Sequence, residues 1–406
     1  MRIEGVRTRE RGASRRAEAR VLFEDSTEPP RTVWFEVPAE HAAHLVEAPD
    51  AFLLAAFPAA AWVGERRLLV EGSVSVRLRR NLEQAGRLFR AWRSECLVPE
   101  IEARDGFHAP VGASGRRTGA FLSGGVDSLA SLRRNRLDLP RGHPGSVTHG
   151  VYAFGLNHHD FDPSGEPAPE RLRAFDAQRV RLESLGERQG VEVVPVRTNA
   201  RLLYPTWEAW GEVGSSAVTA ATAMVLSRLF REVLFGSTGL GPLLPPHSQH
   251  PLLDPLLESD DLRVVATEAY LTRHEKVGIV AGFEDAFPCV QACLLHELPS
   301  ARPNCGRCRK CLLTMLSFAA HGVLDRIPAF DPADLSAERV ARLRLPPILA
   351  GTLGEDLLAD LARRGLHDLV RAVRRVAARA RETPWQRRRR KWLRSIRRRL
   401  PGAGSA

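Results

Sequence analysis

A short apolar stretch that runs directly into a glycine-rich turn constrains the fold of this chain more than any other feature of its sequence. Residues 119–122 (Gly-Ala-Phe-Leu) are typical of a β-strand, residues 123–128 (Ser-Gly-Gly-Val-Asp-Ser) of a turn, and residues 129–134 of a helix. This order predicts a turn at a helix N-terminus, where free backbone N–H groups and the helix dipole attract phosphate. Gly124 and Gly125 allow the backbone to approach the phosphate oxygens, because no side chain intervenes.

The polar side chains of the turn refine this prediction. The hydroxyls of Ser123 and Ser128 can donate further hydrogen bonds to an anion. Asp127 cannot favour an anion, so we expect it to hold Mg²⁺ that accompanies the phosphate. The turn lacks the lysine of the Gly-x4-Gly-Lys-Ser/Thr phosphate loop, so it belongs to another class of phosphate site. A strand-to-helix turn without a ligand is the alternative.

A cluster of cysteines is the second informative feature. Five of the six cysteines lie between residues 289 and 311. Cys293, Cys305, Cys308 and Cys311 supply the four ligands of a tetrahedral zinc site, and Gly306 permits a tight turn between two of them. Cys289 is then spare, and His296 is an alternative fourth ligand. An iron–sulfur cluster, a disulfide or reduced structural thiols are the other interpretations.

The glycine-rich turn resembles the PP-loop of the N-type ATP pyrophosphatases, also called adenine nucleotide alpha hydrolases. Together with Cys-x11-Cys-x2-Cys-x2-Cys, it makes residues 115–320 similar to the 7-cyano-7-deazaguanine synthases. The resemblance implies that ATP is cleaved between its α- and β-phosphates with Mg²⁺, and that a carboxylate or carbonyl oxygen is adenylated. A nitrogen nucleophile, ammonia or an amine, then attacks the small-molecule acceptor. A structural zinc (Zn²⁺) site is also implied.

The resemblance assigns roles to individual residues. Asp127, Ser128 and Lys276 are the candidate catalytic residues, and Lys276 would neutralise developing charge. The candidate ATP-binding residues are Ser123, Gly124, Gly125, Asp127, Ser128, Asn199 and Gly236.

The distribution of apolar runs predicts an α/β fold with a parallel sheet and helices on both faces, of the PP-loop or Rossmann-like type. Strands are expected at 118–122, 147–154, 191–196 and 232–236, with a helix over 168–188. Ligands of such sheets lie beyond the carboxyl ends of the strands, which is where the turn, Asn199 and Gly236 fall.

The chain is expected to contain four regions. Residues 1–110 read as an N-terminal α+β lobe, either for packing or oligomerisation or as a substrate lid, and residues 115–330 as the PP-loop domain with its zinc knuckle at 289–311. A C-terminal helical segment follows at 331–380, and a basic tail at 381–406.

The positive charge of the chain belongs to its C-terminal end. Residues 371–406 carry a net +13, so the preceding 370 residues sum to −2 within a total of +11. The tail predicts contact with an anionic membrane or with nucleic acid, or else a solvated segment without a partner. The clustered cysteines and a charged N-terminus predict a cytoplasmic protein.

Three other functions remain open at this stage. A tRNA-modifying thiolase or ligase is favoured mainly by the basic tail, and a 7-cyano-7-deazaguanine synthase with appended domains by the cysteine spacing. A non-catalytic nucleotide-binding module is the third, although the intact Ser-Gly-Gly-x-Asp-Ser turn disfavours it. Sulfur transfer is disfavoured because Cys96 is the only cysteine outside the cluster.

Overall fold

The computed structural model describes residues 1–112, 114–157, 159–238, 246–293, 302–345 and 353–381. The chain divides into two units, Met1–Asn304 and Cys305–Ala406.

A ten-stranded mixed sheet forms the framework of the first unit. Its strands run across the sheet in the order β10-β9-β6-β7-β8-β3-β2-β1-β4-β5. Their bounds are β1 Arg2–Arg11, β2 Ser14–Leu22, β3 Arg31–Pro38, β4 Arg67–Val70, β5 Glu100–Ala103, β6 Arg117–Phe121, β7 Val147–Phe154, β8 Glu192–Thr198, β9 Phe230–Gly236 and β10 Arg263–Thr267.

The half of the sheet that carries the glycine-rich turn is parallel throughout. Strands β10, β9, β6, β7 and β8 are neighbours in that order, and every pair among them is parallel. The expected strands correspond to β6, β7, β8 and β9, whereas β10 was not anticipated from the sequence. The α/β class is therefore confirmed, but the complete sheet is mixed and not wholly parallel.

The strands of residues 1–110 belong to the same sheet. β1, β2 and β3 form an antiparallel meander, and β3 pairs antiparallel with β8 through Phe35 opposite Thr198. β4 and β5 continue the sheet in parallel beyond β1. Backbone pairing between β3 and β8 therefore joins strands of the predicted lobe to strands of the predicted PP-loop domain.

Helices cover this sheet in the first unit. They are α1 Pro49–Val63, α2 Val76–Trp92, α3 Val126–Asp138, α4 Pro169–Gln189, α5 Trp207–Ala209, α6 Ser215–Met224 and α7 Arg273–Ala281, with a π-helical turn Trp210–Gly214 between α5 and α6. The longest apolar run of the chain becomes α1, which is buried from Asp50 to Ala61 and so is a core helix. No helix in the described ranges is long and apolar enough to cross a membrane.

The second unit is helical in the residues that the structure describes. Its helices are α8 Arg309–His321, α9 Ala337–Arg342, α10 Glu355–Arg363 and α11 His367–Ala380. Leu316, Leu357, Leu361 and Val373 are buried in their shared core. The helical conformation is interrupted between α10 and α11 at Gly365, whose φ of +73° is favourable for glycine. The predicted tail lies outside the described residues beyond residue 381, so its partners remain a prediction.

A histidine–carboxylate contact fastens the connection between β5 and β6 to the core. His108 Nε2 lies 3.1 Å from Asp50 Oδ2 at the start of α1, and Asp50 Oδ1 accepts the Ser75 N–H at 2.8 Å. The hydrogen bond to Asp50 raises the pKa of His108 to about 9. Because this pKa is above its unfolded value, the contact stabilises the fold fully below about pH 6.5 and loses this contribution as pH rises through 9.

We expect His108→Ala to lower the melting temperature most at pH 6 and least above pH 9. The charged imidazole holds Asp50 only while it is protonated, so the gap between wild type and variant should close with rising pH. Thermal melts from pH 5.5 to 9.5 measure this gap, with the exposed His143→Ala as control. A gap that is constant over this range would contradict the assignment.

Candidate phosphate and metal sites

The carboxyl ends of the five parallel strands gather the predicted site residues on one edge of the sheet. The turn of residues 123–128 follows β6, Asn199 follows β8, and Gly236 ends β9. α7, which begins shortly after β10, carries Lys276. This edge is where α/β sheets bind ligands.

Local hydrogen bonds hold the Ser123–Ser128 turn in shape. Gly124 has a φ of +78°, which disfavours any other residue. The Ser123 hydroxyl accepts the Gly125 N–H at 3.2 Å, and the Ser128 hydroxyl donates to the Gly125 carbonyl at 2.9 Å. Ser128 therefore shapes the turn, while Ser123 is exposed to solvent.

The turn places backbone N–H donors at the start of α3. Gly125 is the N-cap and Val126 the first helical residue. The N–H groups of the first helical turn have no acceptor within the helix, and the helix dipole adds partial positive charge there. The arrangement has the donors and the charge that an anion requires.

Asp127 lies between two cations of α7. Its Oδ1 is 3.4 Å from Lys276 Nζ, and its Oδ2 is 3.5 Å from Arg273 Nη1. Lys276 is fully buried, and its ammonium also donates to the Ser237 carbonyl. The structure thus brings two predicted catalytic residues together, and Arg273 joins them.

Burial lowers the pKa of Lys276, and the Asp127 carboxylate opposes this shift. A buried ammonium is costly unless an anion and hydrogen-bond acceptors surround it. Asp127 is consequently part of what keeps Lys276 charged inside the protein.

Gly236 contributes a close backbone contact rather than a side chain. A β-carbon at this position would lie 2.7 Å from the Asp127 carbonyl oxygen, which is too close for any side chain. The end of β9 therefore packs directly against the first turn of α3.

Asn199, expected to contact ATP, has its carboxamide bound to strand β3. Its Oδ1 accepts the Trp34 N–H at 2.9 Å, and its Nδ2 donates to the Thr32 carbonyl at 2.8 Å. Through these bonds the Asn199 side chain connects the end of β8 to β3, beyond the backbone pairing of the two strands. Asp160, after β7, is likewise occupied by its own loop, since it accepts the N–H groups of Gly155 and Asn157.

The three cysteines of the second unit form a compact knuckle. The Cys305 sulfur accepts the Cys308 N–H at 3.3 Å, and the Cys308 sulfur accepts the Cys311 N–H at 3.4 Å. Cys305 Sγ lies 3.8 Å from Cys311 Sγ. Gly306 allows the turn with a φ of +66°. These hydrogen bonds hold the sulfurs of Cys305 and Cys308 in position within the knuckle.

Cys293 is the candidate fourth ligand. The Asn304 carboxamide accepts the N–H groups of Ala292 and Cys293 at 2.7 and 3.1 Å. Asn304, which makes both bonds, directly precedes Cys305 in the sequence. The four cysteines form a group that could hold a metal such as zinc. All six cysteines are free of disulfides, and His296 lies outside the described residues.

The two remaining cysteines are buried thiols. Burial raises the pKa of both Cys96 and Cys289 to about 11. The Cys289 Sγ donates to the Arg181 carbonyl at 3.1 Å. Neither is a thiolate near neutral pH, so neither has the reactivity of a nucleophilic cysteine.

Comparison of the chain with models of protein families, with curated proteins and with solved structures gave no match. A functional inference therefore depends on the geometry of the residues described above.

Sequence reasoning missed Arg273, Gln178 and Gln291. Arg273 could have been found from the capping box of Thr272 and Glu275, which marks the start of α7. Gln178 and Gln291 contact the turn from distant parts of the chain, and no local pattern signals such contacts.

We expect Asp127→Asn to lower the free energy of unfolding by about 1–3 kcal/mol, because it leaves the buried Lys276 ammonium without its anion. Combining it with Lys276→Met should restore most of this loss, because the uncompensated charge is then removed. Urea denaturation of the variants and of the surface control Asp138→Asn measures the effect. Equal stability of Asp127→Asn and wild type, with no coupling in the double variant, would refute the pairing.

Proposed function

We propose that this protein is an ATP-dependent enzyme that cleaves ATP to AMP and pyrophosphate. It would adenylate a carboxylate or carbonyl oxygen of a small-molecule acceptor, which a nitrogen nucleophile then attacks. The observation that carries the proposal is the glycine-rich turn at the start of α3 with Lys276 Nζ 3.4 Å from its Asp127 Oδ1.

The turn supplies the contacts that a leaving pyrophosphate needs. The backbone N–H groups from Gly124 to Ser128 and the α3 dipole would bind its oxygens. The Ser123 hydroxyl is exposed beside them and can donate a further hydrogen bond. Fixed donors and cations at the position where negative charge develops stabilise the transition state. Lys276 and Arg273 are the cations in this account.

Asp127 suits a magnesium ion by its chemistry and its position. Carboxylate oxygens are preferred Mg²⁺ ligands, and the Asp127 side chain remains 20% exposed beside its contacts with Lys276 and Arg273. When bound, Mg²⁺ would neutralise phosphate charge. Asp127 would hold the ion and orient Lys276.

The buried thiols favour nitrogen over sulfur chemistry. Thiolation needs a reactive thiolate, and the pKa of each cysteine outside the candidate metal group is raised by burial. This favours ammonia or a substrate amine as the nucleophile. A 7-cyano-7-deazaguanine synthase-like amide or nitrile synthesis is the reaction of this type that the sequence resembles.

Product analysis tests the proposal. Purified protein is incubated with ATP, Mg²⁺, ammonia and a library of carboxylates, and nucleotides, pyrophosphate and new masses are followed together. We expect AMP and pyrophosphate in equal amounts when an acceptor is present. Formation of ADP and phosphate would refute the assignment of the turn.

Gly124→Ala should reduce the rate of AMP formation by about 100-fold or more, because phosphate contacts made by oriented donors contribute on this scale. A β-carbon at Gly124 would overlap Gln178 Nε2 and the Cys289 carbonyl and would require a disfavoured φ. Gly142→Ala is the matched control, since nothing lies near its β-carbon position. Circular dichroism establishes that both variants fold. Equal rates for folded Gly124→Ala and wild type would contradict the role of the turn.

A further inference from the structure

We infer that the chain segment ending at Cys293 is a brace for the phosphate-binding turn, so that metal held by the cysteine group controls nucleotide affinity. The part that concerns nucleotide rests on the proposed function. The inference that the metal maintains the ordered conformation of residues 123–128 does not depend on the proposed function.

The brace contacts the turn at Gly124. The Gly124 carbonyl accepts the Gln291 N–H at 2.8 Å. On its other side, the space that a β-carbon would need is filled by Gln178 Nε2 and the Cys289 carbonyl. The left-handed conformation of Gly124 is therefore held from outside the turn.

Two contacts attach the start of the brace to α4. Gln178, only 1% exposed, donates from Nε2 to the Cys289 carbonyl at 2.7 Å. The Cys289 thiol donates to the Arg181 carbonyl. Cys289, which the metal group leaves spare, thus has a positioning role.

Asn304 fixes the end of the brace. Its Nδ2 donates to the Val290 carbonyl at 2.8 Å, while its Oδ1 accepts the N–H groups of Ala292 and Cys293. Asn304 is 5% exposed, so these bonds are shielded from water. One side chain thereby holds residues 290–293 in a single conformation.

Only Ala292 separates Gln291, which binds the turn, from Cys293, the candidate ligand. Because few backbone torsions lie between them, we expect a displacement of Cys293 to move the Gln291 N–H. A metal bound by the four cysteines would join the Cys293 sulfur to the other three sulfurs, and metal loss removes these bonds. Metal loss should therefore release Cys293 and loosen the turn.

Hydrogen exchange measured by mass spectrometry tests this brace directly. Zinc-loaded and chelated protein are compared, with the metal content of each sample quantified. On zinc removal, we expect exchange in residues 122–130 to accelerate by about tenfold and the ATP Kd to rise by a similar factor. Strand β2, Ser14–Leu22, is the internal reference and should be unchanged.

Asn304→Ala tests the brace independently of metal binding, because the variant retains every cysteine thiol. It should still bind one zinc, yet show the faster exchange in residues 122–130. Asn81→Ala, which removes a carboxamide bound to the Glu258 carbonyl, is the matched control and should leave the turn unaffected.

Unchanged exchange of residues 122–130 after verified zinc loss would overturn the brace, even if ATP still binds. Faster exchange in a protein that never binds ATP would support the brace and refute the proposed function.

Discussion

The absence of side chains at Gly124 and Gly236 is the constraint on which the rest of the site depends. It allows the Cys289 carbonyl and the Gln178 amide to reach the turn from one direction and the end of β9 to reach α3 from another. A methyl group at either position would force these segments apart. The turn is therefore held by three distant parts of the chain, which fixes the orientation of its N–H groups.

Charge at this edge of the sheet is arranged around one carboxylate. Asp127 compensates the buried Lys276 and also contacts Arg273, so the same residue contributes to stability and is the candidate metal ligand. Burial lowers the pKa of Lys276, and the nearby Asp127 carboxylate opposes this shift. The proposed function and the stability of the fold therefore depend on the same carboxylate, Asp127.

The sequence predicted the parts of this site that follow from local pattern. Apolar runs located β6 to β9, and the turn between β6 and α3 follows from its glycines. β1 is rich in arginine and β10 is only five residues long, so neither was recognised as a strand. Asn199 was expected at a nucleotide, but it binds strand β3, which lies 165 residues away in the chain. The β3–β8 pairing, the Gln178 contact and the Asn304 clamp depend on tertiary structure, which no local window contains.

The most direct measurement is a crystal structure of the protein with a non-hydrolysable ATP analogue and Mg²⁺. The account predicts that the β- and γ-phosphates lie within hydrogen-bonding distance of the N–H groups of Gly124–Ser128, with Lys276 beside them. An analogue bound elsewhere, with these N–H groups facing only water, would contradict it.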